Sequence, residues 1–273
     1  MRNDTIDLVA QTAVDAARAA GELIRRAWHS TRQVQYKGPV DLVTATDRDA
    51  EALILETIRK RFRDHAIVAE EASARTATTI PEPGQPAWYV DPLDGTVNFV
   101  HGVPHFAVSI AFAYGTQVEV GVVFDPMRNE LFVARRGHGA SLDGHAIRVS
   151  SIGSIERALL ATGFPYDRQA RAAYYVGFLR DFIEAAQDVR RFGSAALDLC
   201  WVAAGRYDGF WEWRLHAWDV AAGSLIVTEA GGIVSTFRGH ALDLFGEQIV
   251  ATNPALHAQM CIRLINRLAM SEA

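Results

Sequence analysis

The chain has 273 residues with 27 Lys and Arg against 32 Asp and Glu, a formal charge of −5 with His neutral, which excludes a basic nucleic-acid scaffold. Its 49% hydrophobic and 22% charged residues exclude an intrinsically disordered chain and suffice for one large domain or two fused ones. Cys200 and Cys261 form no CxxC, so neither a disulfide framework nor a zinc-thiolate site is built from them and a reducing compartment is expected. The first residues run amphipathically to Trp28 without the apolar core of a leader, and no uninterrupted apolar run approaches the ~18 residues of a membrane span. A soluble cytoplasmic protein with no membrane association is the expectation.

In chain order, Val9, Ala13, Ala16, Ala17, Ala20, Ile24 and Ala27 recur at spacings of three and four, which predicts a helix over residues 5–28. Thr46 and Asp49 have capping-box spacing ahead of Leu53, Ile54 and Ile58, so a second helix is expected to about Phe62. Two short apolar runs, Ala66–Ala69 and Trp88–Val90, each end in acidic residues and read as buried strands that deliver carboxylates at their C-terminal ends. The Thr- and Pro-rich stretch 74–86 between them reads as an exposed loop or a flap. Val108–Ala113, Val118–Asp125 and Glu130–Arg135 then predict a β-meander.

The second half alternates. Strands are expected near Leu159–Thr162, Val189, Tyr207–Trp211 and Ile233–Thr236, with helices near Ala172–Ala186, Ala195–Ala204, Trp218–Glu229 and Pro254–Leu268; Gly231-Gly232 ends the third of these helices. The sum is an α/β (α+β) chain. Residues 1–150 form an antiparallel-rich part, and residues 151–273 an alternating part that carries the pocket residues and Asp219.

The most informative run is Trp88-Tyr-Val-Asp91-Pro92-Leu93-Asp94-Gly95-Thr96-Val-Asn-Phe99. An apolar strand delivers Asp91, Pro92 stiffens the turn and Asp94 follows three residues later, so two carboxylates and the Leu93 carbonyl can converge as hard oxygen ligands for a divalent cation. A helix beginning at Gly95-Thr96 would turn its free N–H groups toward an anion such as phosphate. Either Asp alone is equally an ordinary turn or cap residue. Of Glu70-Glu71, adjacent side chains on an extended chain point opposite ways, and Glu70 is taken as the one that faces the site. Asp219 opens a helix rich in small residues, Ala221, Ala222 and Gly223, which let it press close to another backbone.

These segments resemble the inositol monophosphatase family of magnesium-dependent phosphatases. The resemblance rests on Asp91-Pro-Leu-Asp94-Gly-Thr96 with Phe99 and His101, and on Trp218-Asp219-x-Ala-Ala-Gly223 running to Gly231-Gly232. Lys37, Asp41 through Asp47, Glu70-Glu71 and Gly193-Ser194-Ala195-Ala196 support it in family order. It implies a layered αβαβα sandwich of the inositol monophosphatase and fructose-1,6-bisphosphatase type. It further implies that Glu70, Asp91, Asp94, Asp219 and the Leu93 carbonyl bind Mg²⁺, and that Asp94, Gly95, Thr96 and Asp219 contact the substrate. Gly193, Ser194, Ala195 and Glu212 would line a sugar-alcohol pocket, and Thr96, supported by Asp47 and Glu70, would orient the attacking water. Val97 and Ala69 depart from the usual Thr and Gly of relatives, which touches backbone geometry only.

The resemblance implies hydrolysis of a small phosphate monoester, inositol monophosphate first, by a homodimer. Fructose 1,6-bisphosphate, histidinol phosphate and adenosine 3',5'-bisphosphate are the alternative substrates. Some bacterial relatives resemble transcription-associated binding factors, in which phosphatase activity would be vestigial; this chain has no basic arm suited to RNA, so no direct nucleic-acid partner is expected. There is no Walker A, HExxH or Asp-x-Asp-x-Thr sequence, which disfavours P-loop, zinc-protease and aspartyl-phosphate chemistry.

Overall fold

A computed structural model describes residues 2–29, 34–36, 42–73 and 79–272. In chain order the first part comprises α1 (Arg2–Ala27), β1 (Val34–Tyr36), β2 (Leu42–Thr44), α2 (Ala45–Arg61), β3 (Ala66–Ala69), α3 (Glu70–Ser73), β4 (Pro86–Asp94) and α4 (Thr96–His101). It continues with β5 (Ala107–Tyr114), β6 (Gln117–Asp125), β7 (Glu130–Arg135), β8 (Ala140–Leu142) and β9 (His145–Ala146). The second part holds β10 (Leu159–Thr162), α5 (Ala172–Ile183), β11 (Asp188–Arg190), α6 (Ala195–Ala203), β12 (Gly209–Trp213), α7 (Ala217–Glu229), β13 (Ile233–Ser235), β14 (Gln248–Thr252) and α8 (Pro254–Glu272). Lys37, Asp41 and part of the 74–86 loop lie outside the described residues.

Two sheets carry the architecture, one of seven strands in the order β3-β4-β5-β6-β7-β8-β9 and one of five in the order β11-β10-β12-β14-β13. α1 and α2 cover the outer face of the first sheet, α6 and α7 fill the space between the sheets, and α5 and α8 cover the second. This is the αβαβα layering. The predicted stripe of α1 forms it: Val9, Ala13, Ala16, Ala17, Ala20 and Ile24 are fully buried against Val108, Ile110, Val120 and Val122 of the first sheet. The central helices are apolar on nearly every side, as a middle layer requires. Among the described residues no helix is long and apolar enough to cross a membrane.

Several predicted boundaries move. The cap of α2 is Thr44 rather than Thr46: Thr44 and Asp47 complete a capping box in which Asp47 Oδ2 accepts from the Thr44 backbone N–H at 2.9 Å. Glu70 and Glu71 do not lie on an extended chain, because a helical turn begins at Glu70. The strand predicted at Tyr207–Trp211 spans Gly209–Trp213, and β14 escapes the sequence pattern although it pairs with both β12 and β13.

The middle layer sits close to the first sheet because Gly121 on β6 has no side chain: a Cβ there would fall 2.6 Å from the Ala222 carbonyl oxygen of α7. Since α7 also carries Asp219, one close approach sets both packing and site. Gly121→Ala is expected to cost about 1–3 kcal/mol of stability by overpacking, read as a lower melting temperature, with a loss of any activity that depends on Asp219.

Candidate active site

Strand register brings the acidic residues together. β3 and β4 are parallel with Ala69 opposite Val90, so the next residues, Glu70 and Asp91, leave the sheet side by side at its C-terminal edge. Beyond Asp91 the pairing of β4 with β5 is irregular until Asp94 meets Ala107, and Pro92 has no N–H to hold it in the ladder. The freed turn is closed by the Asp91 Oδ1, which accepts from the Leu93 N–H at 2.9 Å. Asp94 then precedes α4, which begins after Gly95 in the left-handed conformation with φ 106°.

The third contribution comes from the N-terminus of α7, where Asp219 Oδ2 accepts from the His216 N–H at 2.7 Å. Asp94 spans the two halves of the molecule: its Oδ2 accepts from Ser194 Oγ and from the Ala196 N–H, both at 2.7 Å, and so caps α6. Glu70, Asp91, Leu93, Asp94, Gly95, Thr96, Gly193, Ala195, Glu212 and Asp219 all line one cleft of about 480 Å³. Ser194 departs from its expected place in the pocket wall. It is 1% exposed, and its hydroxyl is spent on Asp94.

The carboxylates disturb one another. Burial, then Glu70, Asp94 and Asp219, push Asp91 well above the ordinary carboxylate range. Burial raises Asp94 to about 6 against the hydrogen bonds of Ser194 and Ala196. Burial and then Asp94 raise Asp219 to about 8, and Asp91 stands within hydrogen-bond reach of it. Among the described residues no group of three or more His, Cys, Asp or Glu side chains is gathered closely enough to hold a metal ion as it stands. The donor set nonetheless fits Mg²⁺, which takes oxygen ligands, uses few carboxylates at once and keeps several waters. Burial and neighbouring charge favour the protonated forms of these groups, and a cation among them would favour ionisation.

A separate relay flanks this set. Thr96 Oγ1 lies 2.8 Å from Asp47 Oδ1 and 3.1 Å from the Leu93 carbonyl oxygen. Its single hydrogen is thereby directed inward, which leaves the hydroxyl oxygen able to accept from a molecule in the cleft. Asp47 is fully buried, and burial lifts its pKa against the hydrogen bonds from Thr44 and Thr96.

On the opposite wall, Glu212 is 7% exposed and raised to about 8 by burial, with Arg191 pulling it down. Its place depends on a residue the sequence pattern does not single out. β10 and β12 are parallel with Thr162 opposite Trp211, so Gly163 lies level with Glu212, and a Cβ on Gly163 would fall 2.1 and 2.2 Å from the two carboxylate oxygens. Also missed were Asp198, a buried acid with both oxygens unpartnered among the described residues, and Asn98. The Asn98 amide donates to the His105 and Phe192 carbonyls, each at 2.7 Å, and ties the first acidic motif to the segment before Gly193.

Two outcomes follow. The folded Asp219 carboxyl holds its proton to about pH 8 whereas the unfolded one releases it near 3.8, so between these values rising pH works against folding. Asp219→Asn is therefore expected to melt higher than the parent chain at pH 8 in chelator, by roughly 2–4 °C for each ~1 kcal/mol relieved, and to lose any stabilisation that added Mg²⁺ confers on the parent. A parent chain that melts equally high in chelator would contradict this. Gly163→Ala should displace Glu212 from the cleft wall and cost about 1–3 kcal/mol of stability by overpacking, read as a lower melting temperature.

Comparison with known proteins gives a consistent answer. Residues 6–269 match the model of the inositol monophosphatase family. The protein named Nus factor SuhB in Escherichia coli (strain K12) is 46% identical over 259 residues, which cover 94% of this chain and 96% of that protein. The extragenic suppressor protein suhB of Bartonella henselae superposes with a TM-score of 0.87 at 39% identity, covering 94% of this chain and 98% of that one. The inositol monophosphatase of Anabaena (Nostoc) sp. PCC 7120 does so with a TM-score of 0.86 at 35% identity, covering 96% and 97%. The chain belongs to the inositol monophosphatase family.

Proposed function

We propose that the chain is a Mg²⁺-dependent phosphatase of small phosphate monoesters, inositol monophosphate first among them. The observation that carries this reading is the convergence of Glu70, Asp91, Asp94 and Asp219, drawn from three separate stretches of chain, on one cleft where burial, and at Asp91 and Asp219 the neighbouring carboxylates, raise the cost of ionisation. Glu70, Asp91, Asp94, Asp219 and the Leu93 carbonyl are the proposed cation ligands. When bound, Mg²⁺ supplies a Lewis acid that offsets the charge of the phosphoryl oxygens and of the leaving alkoxide.

The chain's own part begins with orientation. Thr96, held by Asp47, accepts a hydrogen bond from a water entering the cleft and fixes one lone pair of that water along the line of attack on phosphorus. Asp47 and Glu70 are the neighbouring carboxylates toward which its proton can pass. Gly95 and Thr96 line the cleft and would offer their backbone N–H groups to the phosphate oxygens. Across the cleft, Glu212 offers buried acceptor oxygens to substrate hydroxyls, beside Gly193 and Ala195. An analogue lacking those hydroxyls leaves the acceptors unpaired, which is how such a wall discriminates.

A second reading is favoured by the names of the relatives. Proteins 44–48% identical to this chain are called Nus factor SuhB, which supports a transcription-associated binding role that need not use the cleft. One experiment addresses both readings. Phosphate release is measured with and without Mg²⁺ over sugar, polyol and nucleotide monoesters, and protein capture is compared for the parent and Asp94→Asn chains. Mg²⁺-dependent release that falls at least about 100-fold in Asp94→Asn, as expected for loss of a group acting on the transition-state charge, supports the phosphatase. Release that is indifferent to Mg²⁺ overturns it. Capture of transcription proteins that survives Asp94→Asn supports a second, separable role; no such capture by either chain removes it.

A further inference from the structure

The floor of the cleft is acidic, yet its mouth is not. Arg168, Arg191 and Arg214 line the same cavity as the carboxylates. Arg214 is already committed, with its guanidinium 2.8 Å from Asp167 and 3.9 Å from Glu247. The other two are not. Arg168 makes one long contact, 3.4 Å from its Nη1 to the Pro165 carbonyl oxygen. Arg191 packs its guanidinium 5.9 Å from the Phe164 ring centroid and beside Gly193, where a Cβ would come within 2.9 Å of Nη1. Among the described residues neither has a carboxylate within ion-pair distance, and none of the Arg191 N–H groups makes a hydrogen bond.

We propose that Arg168 and Arg191 form a second anion subsite at the mouth of the cleft, which selects phosphate esters carrying a further acidic group. The inference rests on the phosphatase reading and names the substrate class of that same site. In a chain of net charge −5, a second phosphate on the substrate adds negative charge that the proposed cation, held at the carboxylates, does not meet directly. Two guanidinium groups with donors to spare, lining the same cleft as the carboxylates, offset that charge. The planar fork of Arg matches phosphate and carboxylate oxygens in pairs. Arg191 also lowers the carboxyl pKa of Glu212, but this acts through space, since no ion pair closes between them, and it leaves the donors available.

The test compares substrates that differ only in the second anion: fructose 1-phosphate with fructose 1,6-bisphosphate, and 3'-AMP with adenosine 3',5'-bisphosphate. In the parent chain KM should be lower for each bisphosphate. Arg168→Gln and Arg191→Gln should each raise KM for the bisphosphates about 10-fold, the size of one charge-assisted contact, with kcat unchanged and the matched monophosphates moved by less than half as much. The preference should also shrink as salt rises. Equal KM within each pair, or equal loss for both members in the variants, overturns the subsite. Should the chain turn over none of them with Mg²⁺, the phosphatase reading fails, and calorimetric titration of the same pairs into the parent and variant chains still decides: tighter binding of the bisphosphate that is lost with either Arg upholds the subsite, and equal affinity removes it.

Discussion

The burial of several carboxyl groups side by side at one end of the first sheet is the constraint on which the rest of the structure turns. Burial raises the carboxyl pKa of Asp91, Asp94 and Asp219 alike, and the neighbouring carboxylates raise Asp91 and Asp219 further. They stay together because each is fastened by the backbone beneath it. The Leu93 N–H secures Asp91, the start of α6 secures Asp94 and the His216 N–H secures Asp219. Burying these carboxyl groups carries an electrostatic cost that the proposed divalent cation, held among them, would offset.

The fold supplies these fastenings by putting chain ends where sheets end. In both sheets the site residues follow strands that run parallel to a neighbour: Glu70 after β3, Asp91 in β4, Gly163 after β10 and Glu212 in β12. The crevice at the carboxyl ends of parallel strands is where open α/β sheets gather ligands. The middle helices complete the arrangement from the opposite direction, because α6 and α7 both present their N-termini to it, and the two carboxylates that cap them, Asp94 and Asp219, are the same two that face the cleft.

How much of this was legible in the sequence depended on how local the cause was. The strands ending in acids, the meander and the α1 stripe were readable because alternation and helical spacing are properties of a few neighbours. The α2 cap was misplaced by two residues because Thr44–Asp47 and Thr46–Asp49 carry identical chemistry at identical spacing; only the contact with Thr96, 49 residues away, distinguishes them. The resemblance implies a pocket role for Ser194 along with Gly193 and Ala195, but on entering a helix successive residues turn to different sides, and the Ser194 hydroxyl meets Asp94 instead. Gly163, Arg168 and Arg191 carry no periodic signal at all. Their importance arises from the register of β10 against β12 and from the folding of the 163–168 segment over the cleft, which no window of sequence contains.

Asp47 joins two duties that are normally separate, since one oxygen fastens the first turn of α2 and the other grips the Thr96 hydroxyl. A substitution at this position cannot be neutral for one and harmful for the other. Drift that would pass unnoticed at an ordinary helix cap, where Ser, Thr, Asn and Asp exchange freely, is closed at this one. A carboxylate accepts on both oxygens at once, so at this position a single residue sets the start of α2 and the hydroxyl on the cleft wall together.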